Sequence, residues 1–98
     1  MNRKGKGDRI ELKAKKELES LGYLVEKPVR TRWNTNKDFF NLFDLIALSK
    51  DGIKLIQVKS NYCPKKVRDA IRAFHIPESI SKEVWVWKDY KGWRIERL

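Results

Sequence analysis

The chain has 98 residues, with 23 lysines and arginines against 13 aspartates and glutamates, which gives a formal net charge of +10. A hydrophobic content of 41% predicts one packed domain over residues 1–98 rather than disorder. The single cysteine, Cys63, excludes an internal disulfide and a cysteine-rich zinc site. No apolar run approaches the roughly 20 residues of a membrane span, and residues 1–8 lack the apolar stretch of a signal peptide. We therefore expect an intracellular, cytoplasmic protein with no membrane partner.

The first elements in chain order are a helix, a strand and a polar loop. We expect a flexible basic arm over residues 1–6, followed by a helix that Asp8 caps and that ends near Ser20. A strand over residues 23–30 and a loop over residues 31–38 come next. The helix has one apolar face, formed by Ile10, Ala14, Leu18 and Leu21.

The rest of the chain predicts a hairpin, a second helix and two further strands. The expected elements are strands over 39–49 and 53–60, a helix over 65–74, and strands over 83–88 and 93–98. The resulting order is α-β-β-β-α-β-β. This order predicts an α/β fold, with a mixed β-sheet flanked by helices.

The hairpin brings three polar residues together within apolar sequence. A two-residue turn at Asp51-Gly52 would pair Asp44 with Lys59 and place Gln57 on the same face. A buried carboxylate is costly unless it is paired or bound to a metal. A structural ion pair between Asp44 and Lys59 is therefore one interpretation, although it does not explain Gln57.

In these residues the chain resembles the PD-(D/E)XK nuclease superfamily. The family has an Asp at a strand start and (Asp/Glu)-x-Lys on the next strand, where this chain has Asp44 and Gln57-Val58-Lys59. Glu11 in the first helix is typical of the archaeal-type Holliday junction resolvases, which also open with a basic, glycine-containing stretch like Arg3-Lys4-Gly5. The resemblance covers residues 3–61. The departure is Gln57, where the family usually has a carboxylate.

The resemblance implies a restriction-endonuclease-like core and a Mg²⁺- or Mn²⁺-dependent endonuclease that takes part in DNA recombination or repair. Asp44 would be the principal metal ligand, with the side-chain oxygen of Gln57 and the Val58 carbonyl as further ligands. Glu11 would bind a second metal or orient water, and Lys59 would position the attacking water. The implied products carry a 5′-phosphate and a 3′-hydroxyl. A resolvase makes two coordinated cuts, so a homodimer is expected.

The positive charge predicts DNA as the partner, because phosphate contacts need clustered lysines and arginines. The candidate contacts are Arg3, Lys4, Lys6, Arg30, Arg32, Trp33, Lys65, Lys66 and Arg68. A lysine-rich solvated surface is the alternative. For Trp85, Trp87 and Trp93, packing in the core or in a dimer interface is favoured over base stacking. A catalytically inactive DNA-binding module, or a subunit that retains the nuclease fold, stays open as an alternative function.

Overall fold

A computed structural model describes residues 3–28, 38–40 and 42–98, and for residues 3–8 the backbone alone. It contains two helices and five strands among these residues. They are α1 (Arg3–Ser20), β1 (Leu24–Glu26), β2 (Leu45–Ser49), β3 (Gly52–Ser60), α2 (Lys65–Ala73), β4 (Ile80–Lys88) and β5 (Gly92–Arg97). The α/β class and the mixed sheet flanked by helices are confirmed. None of the described helices is long and apolar enough to cross a membrane.

The sheet has the strand order β1-β2-β3-β4-β5, the same as the order in the chain. Strands β1, β2 and β3 pair antiparallel, and β5 pairs antiparallel with β4. Strand β4 instead runs parallel to β3, because α2 carries the chain back between them. The ends of β3 and β4 therefore meet at the same edge of the sheet.

Each helix covers one face of the sheet and forms its own core. On the α1 face, the helix residues Ala14 and Leu18 pack with Ile56 and Val58 of β3. On the α2 face, Ile71 of the helix packs with strand residues that include Leu55, Val84 and Val86. Because side chains alternate along a strand, Gln57 and Lys59 lie on the α2 face together with Leu55.

Several predicted boundaries are wrong. The helix α1 begins at Arg3 rather than at Asp8, so the backbone of residues 3–6, within the expected basic arm, is helical. Strand β1 is shorter than expected, with three residues, because Pro28 cannot donate a backbone hydrogen bond to a continuing strand. Strand β4 begins at Ile80, three residues earlier than expected.

The predicted hairpin register is also wrong, by two residues. Ser49 pairs with Gly52, so the turn consists of Lys50 and Asp51 and not of Asp51 and Gly52. Gly52 has φ 140°, and a Cβ there would meet the Ser79 carbonyl oxygen at 3.3 Å. The glycine therefore serves as the first residue of β3, where the strand needs a positive φ and passes close to a neighbouring backbone.

The tryptophans of β4 and β5 belong to the core of the α1 face. Trp85 is buried, and Trp87 and Trp93 are partly buried against the same cluster. Trp93 contacts both of the others edge-on, with ring centroids 5.3 Å and 5.1 Å apart. Lys13 of α1 lies over the Trp87 ring, 4.3 Å from its centroid. The core interpretation of these three residues is therefore confirmed.

Candidate active site

Asp44 lies immediately before β2, at the point where a tight turn feeds into the strand. Hydrogen bonds between the backbones of Phe39 and Phe43 close this turn, with Phe39 N to Phe43 O at 2.7 Å. Phe43 and Leu45 are both fully buried, in the α2-face and α1-face cores respectively. Asp44 is thus held between two apolar anchors on opposite sides of the sheet, which excludes most solvent from its carboxylate.

The position of Asp44 differs from the prediction, which placed it inside a strand over residues 39–49. Its backbone N–H still continues the ladder and donates to the Ile56 carbonyl at 2.8 Å. Its side chain then takes over the pairing, because the Val58 N–H donates to Asp44 Oδ2 at 2.7 Å. The carboxylate therefore stands in for a main-chain acceptor, and its orientation is fixed by β3.

Gln57 is buried and lies directly opposite Asp44. Continuing the register one step beyond the pair of Leu45 with Ile56 brings these two residues together. The Gln57 amide nitrogen is placed to donate to the Leu42 carbonyl and, at 3.3 Å, to Asp44 Oδ2. If the Gln57 amide oxygen pointed the same way, it would face two other oxygen atoms, the Leu42 carbonyl oxygen and Asp44 Oδ2. A proton or a cation between these oxygen atoms would be needed to stabilise that arrangement.

Two further acidic residues affect Asp44. Burial is the largest cause that raises the pKa of the Asp44 carboxyl to about 8, while the Val58 hydrogen bond acts in the opposite direction. A hydrogen bond with Asp38 and the negative charges of Glu11 and Asp38 raise the pKa further. Glu11 itself pairs with Lys27, at 3.3 Å. Without a cation, Asp44 is therefore largely protonated at neutral pH.

Lys59 lies two residues beyond Gln57 on the same face of β3. It is half-buried, and it forms no ion pair with Asp44 or with any other residue in the described part of the chain. The structure therefore contains no Asp44–Lys59 ion pair, and that interpretation is wrong. No carboxylate among the described residues neutralises the Lys59 ammonium group.

The oxygen donors around Asp44 suit a hard divalent cation. Among the described residues, no group of three or more carboxylate, imidazole or thiol side chains is positioned to hold a metal ion on its own. Mg²⁺, however, commonly binds through one or two carboxylates and completes its coordination with carbonyls, water and phosphate oxygens. Asp44 and one of its acidic neighbours would supply the carboxylates of such a site, and the Val58 carbonyl is a further ligand that the sequence predicts. Gln57 would join it after a rotation of its amide.

The predicted DNA contacts fall into three groups. Lys65 and Lys66 are exposed at the start of α2, and Arg68 is half-buried in an ion pair with Glu96. Arg3, Lys4 and Lys6 belong to α1, but their side chains lie outside the described residues. Arg30, Arg32 and Trp33 lie wholly outside the described residues.

Asp38 is the residue of this cluster that the sequence did not predict. It lies at the end of a polar stretch, and only the turn that follows it brings its carboxyl within reach of Asp44. A different buried acid, Glu83, lies outside the cluster. Both of its oxygens have partners at 2.9 Å, Lys54 Nζ and Trp85 Nε1, so its role is structural.

No protein-family model matches this sequence, and no curated protein matches it either. The features that bear on function are therefore the buried Asp44, the acids beside it, and the two residues Gln57 and Lys59, which share one face of β3.

Proposed function

We propose that this protein is a metal-dependent endodeoxyribonuclease that hydrolyses DNA phosphodiester bonds, with a preference for branched substrates such as four-way junctions. The observation that carries the proposal is the setting of Asp44. Its carboxyl lies at a strand start and is held by the Val58 N–H. Burial is the main cause that raises its pKa to about 8, and the neighbouring acids Asp38 and Glu11 add to the rise by repulsion. A fold has no structural need for such repulsion, but cation binding benefits from it.

Each residue of the cluster has a role that its position supports. Asp44, assisted by Glu11 or Asp38, would hold Mg²⁺ or Mn²⁺, which supplies charge stabilisation and lowers the pKa of water. The Lys59 ammonium, which no described acid neutralises, would orient the attacking water and stabilise the charge that develops on the phosphate. Gln57 holds the Asp44 carboxyl in place by its hydrogen bond.

The positive charge of the whole chain supports DNA as the substrate. A net charge of +10 on 98 residues attracts a polyanion and steers its approach. Buried carboxylates repel phosphate, so a protein that only binds DNA gains nothing from Asp44 and its acidic neighbours. The combination of excess positive charge with a buried aspartate beside two partly buried acids favours catalysis on a phosphodiester.

Gln57 favours a second candidate function, an inactive DNA-binding module that retains the nuclease fold. As a hydrogen-bond donor to Asp44, the amide stabilises the carboxyl in the absence of a cation. A glutamate at this position would instead add a negative charge and strengthen metal binding. An inactive descendant could therefore keep Asp44 and lose its metal.

Cleavage separates the two candidates. Linear duplex, single-stranded, flap and four-way-junction DNA would be incubated with the protein in Mg²⁺, in Mn²⁺ and in EDTA. The proposal expects cutting that needs the metal and that Asp44→Asn abolishes, while Asp51→Asn, which removes an exposed acid from the hairpin turn, cuts normally. Binding to the same DNAs without any cutting would favour the inactive module.

The proposed preference for junctions also makes the oligomeric state testable. Two symmetric cuts need two active sites related by a two-fold axis, so a homodimer is the expected form. Light scattering with and without junction DNA measures this directly. A strict monomer under both conditions would argue against a resolvase and leave a nuclease that makes single cuts.

A further inference from the structure

A basic pocket lies on the α2 face of the sheet, separate from the acids around Asp44. It has a volume of about 320 Å³ and opens between the start of α2 and the strands β4 and β5. Four of its lining residues are basic, and none is acidic: the basic ones are Lys65, Arg68, Lys88 and Arg94. A concave surface with this charge is suited to a phosphate group.

The register of the sheet relates this pocket to the candidate active site. Lys59 pairs with Val86 on β4, and Val86 pairs with Arg94 on β5, so the three residues form one row across the sheet. Paired residues share a face, and neighbouring strands lie about 4.8 Å apart. The backbones of Lys59 and Arg94 are therefore roughly 10 Å apart, within a nucleotide or two along a nucleic-acid strand.

Two of the four cations are held in place by the fold. Lys88 Nζ donates to the Asn61 carbonyl at 2.6 Å, and Asn61 is itself fixed by a 2.7 Å hydrogen bond to the Trp87 carbonyl. Arg68 is oriented by its ion pair with Glu96, which also neutralises part of its charge. The geometry of the inner wall is thus set before a ligand arrives, which reduces the entropy lost on binding.

The other two cations, Lys65 and Arg94, are exposed at the rim. Lys65 is also the first residue of α2, whose N-cap is Pro64 and has no side-chain capping bond. The uncapped N–H groups and the helix dipole add positive potential on the same side as the basic side chains. Tyr62, at the rim, is 67% exposed and offers an aromatic surface to a base.

We propose that this pocket binds a backbone phosphate of the nucleic-acid strand that is cut, a nucleotide or two away from the bond at Asp44 and Lys59. The strand then crosses β3, β4 and β5 in that order. The position of the cut bond rests on the proposed function, whereas the binding of nucleic acid by the pocket does not. Arg94 and Lys88 become DNA contacts that the sequence did not indicate.

The first test measures binding without catalysis. Arg94→Gln and Lys65→Gln would be compared with Lys50→Gln, which removes an equally exposed charge from the hairpin turn at the other end of β3. Fluorescence anisotropy with a labelled DNA in EDTA would give Kd over a series of salt concentrations. We expect each pocket variant to weaken binding roughly tenfold and to lower the salt slope by about 1. Binding equal to that of Lys50→Gln would overturn the proposal.

The second test locates the phosphate. A set of DNA strands would each carry one neutral methylphosphonate linkage, at successive positions. At one position the neutral linkage should weaken DNA binding by the unmodified protein and by the Lys50→Gln control. At that position it should not further weaken DNA binding by the Arg94→Gln, Lys65→Gln double variant, which has already lost the contact. If the loss of affinity from the neutral linkage added to the loss from the double substitution at every position, the two side chains would contact no particular phosphate. That result would overturn the proposal.

The outcomes also separate this proposal from the nuclease. Metal-dependent cutting by a protein whose Arg94→Gln and Lys50→Gln variants bind alike would refute the pocket and leave the nuclease intact. Binding that depends on the pocket, without any cutting, would uphold the pocket and refute the nuclease. Equal melting temperatures of the variants would confirm that each is folded.

Discussion

The Val58 N–H donates a 2.7 Å hydrogen bond to Asp44 Oδ2. Asp44 directly precedes β2, so its side chain accepts the hydrogen bond that a backbone carbonyl of a longer β2 would accept from β3. This bond ties the orientation of the carboxyl to the strand that carries Gln57 and Lys59. Burial, and the neighbouring acids Asp38 and Glu11, nevertheless raise the pKa of Asp44 to about 8. The fold therefore holds an acid in a place where its charged form is unstable.

The first prediction concerns the stability of the protein against pH. The pKa of Asp44 is about 8 in the folded state, and its ordinary value of 3.8 applies to the unfolded chain. Between pH 3.8 and pH 8 the folded protein therefore binds one proton at Asp44 that the unfolded chain does not bind. The contribution of Asp44 to the free energy of unfolding is therefore fully present below pH 4 and is lost as the pH rises to 8. The loss approaches at most about 1.4 kcal/mol per pH unit.

Urea denaturation at pH 5, 6.5 and 8, followed by tryptophan fluorescence, measures this loss. In Asp44→Asn the decline should be much smaller, because asparagine does not titrate. Asp51→Asn, at the exposed turn, should decline as the unmodified protein does. Parallel pH profiles for Asp44→Asn and the unmodified protein would show that the carboxyl is not the group responsible.

The second prediction concerns Gln57→Glu. In the absence of metal, the new carboxylate would face the Leu42 carbonyl and Asp44, and the amide donor would be lost. We expect a loss of about 1–3 kcal/mol in the free energy of unfolding without metal, together with tighter Mg²⁺ binding. Thermal melts with and without Mg²⁺ would show a larger metal-dependent rise in Tm than for the unmodified protein.

The double variant Asp44→Asn, Gln57→Glu is the matched control for that experiment. It keeps the new carboxylate but removes the acid opposite it, so most of the stability in the absence of metal should return. Its Tm should respond little to Mg²⁺. If calorimetry found that Gln57→Glu abolishes Mg²⁺ binding, residue 57 would have no role as a ligand.

The grouping of Asp44, Gln57 and Lys59 was predictable even though the register was not. The predicted and observed registers differ by two residues, and side chains return to the same face every second residue, so the shared face survived the error. The Asp-Gly dipeptide suggested the turn, but Gly52 instead uses its positive φ as the first residue of the strand. Asp38 was not predictable, because its approach to Asp44 depends on the tight turn from Phe39 to Phe43, where a strand was expected.

The third prediction concerns Lys54, the other partly buried lysine of β3. Burial lowers its pKa, but the hydrogen bond and the charge of Glu83, with a smaller contribution from Tyr23, outweigh this effect and raise the pKa overall. Lys54→Met would leave the buried Glu83 without its cation. We expect a loss of about 2 kcal/mol in the free energy of unfolding, since Lys54 is partly exposed and water replaces some of the interaction. Urea denaturation measures it, and the Lys54→Met, Glu83→Gln double variant should recover part of the loss.

The fourth prediction contrasts Lys59 with Lys54. Lys59 has no ion pair in the described part of the chain, so Lys59→Met should change the free energy of unfolding by no more than about 0.5 kcal/mol. If Lys59 orients the attacking water, the single-turnover rate of DNA cleavage should fall roughly 100-fold or more. Lys59→Arg keeps the charge in a different shape and should recover only part of that rate.

Single-turnover cleavage at saturating DNA, with Kd measured separately in EDTA, tests this contrast. Lys50→Met removes a lysine at the exposed hairpin turn and should cut at the unmodified rate. A Lys59→Met variant that cuts normally would exclude the catalytic role. A variant that unfolds as readily as Lys54→Met would instead identify Lys59 as a structural residue, whose loss of activity follows from the loss of the fold.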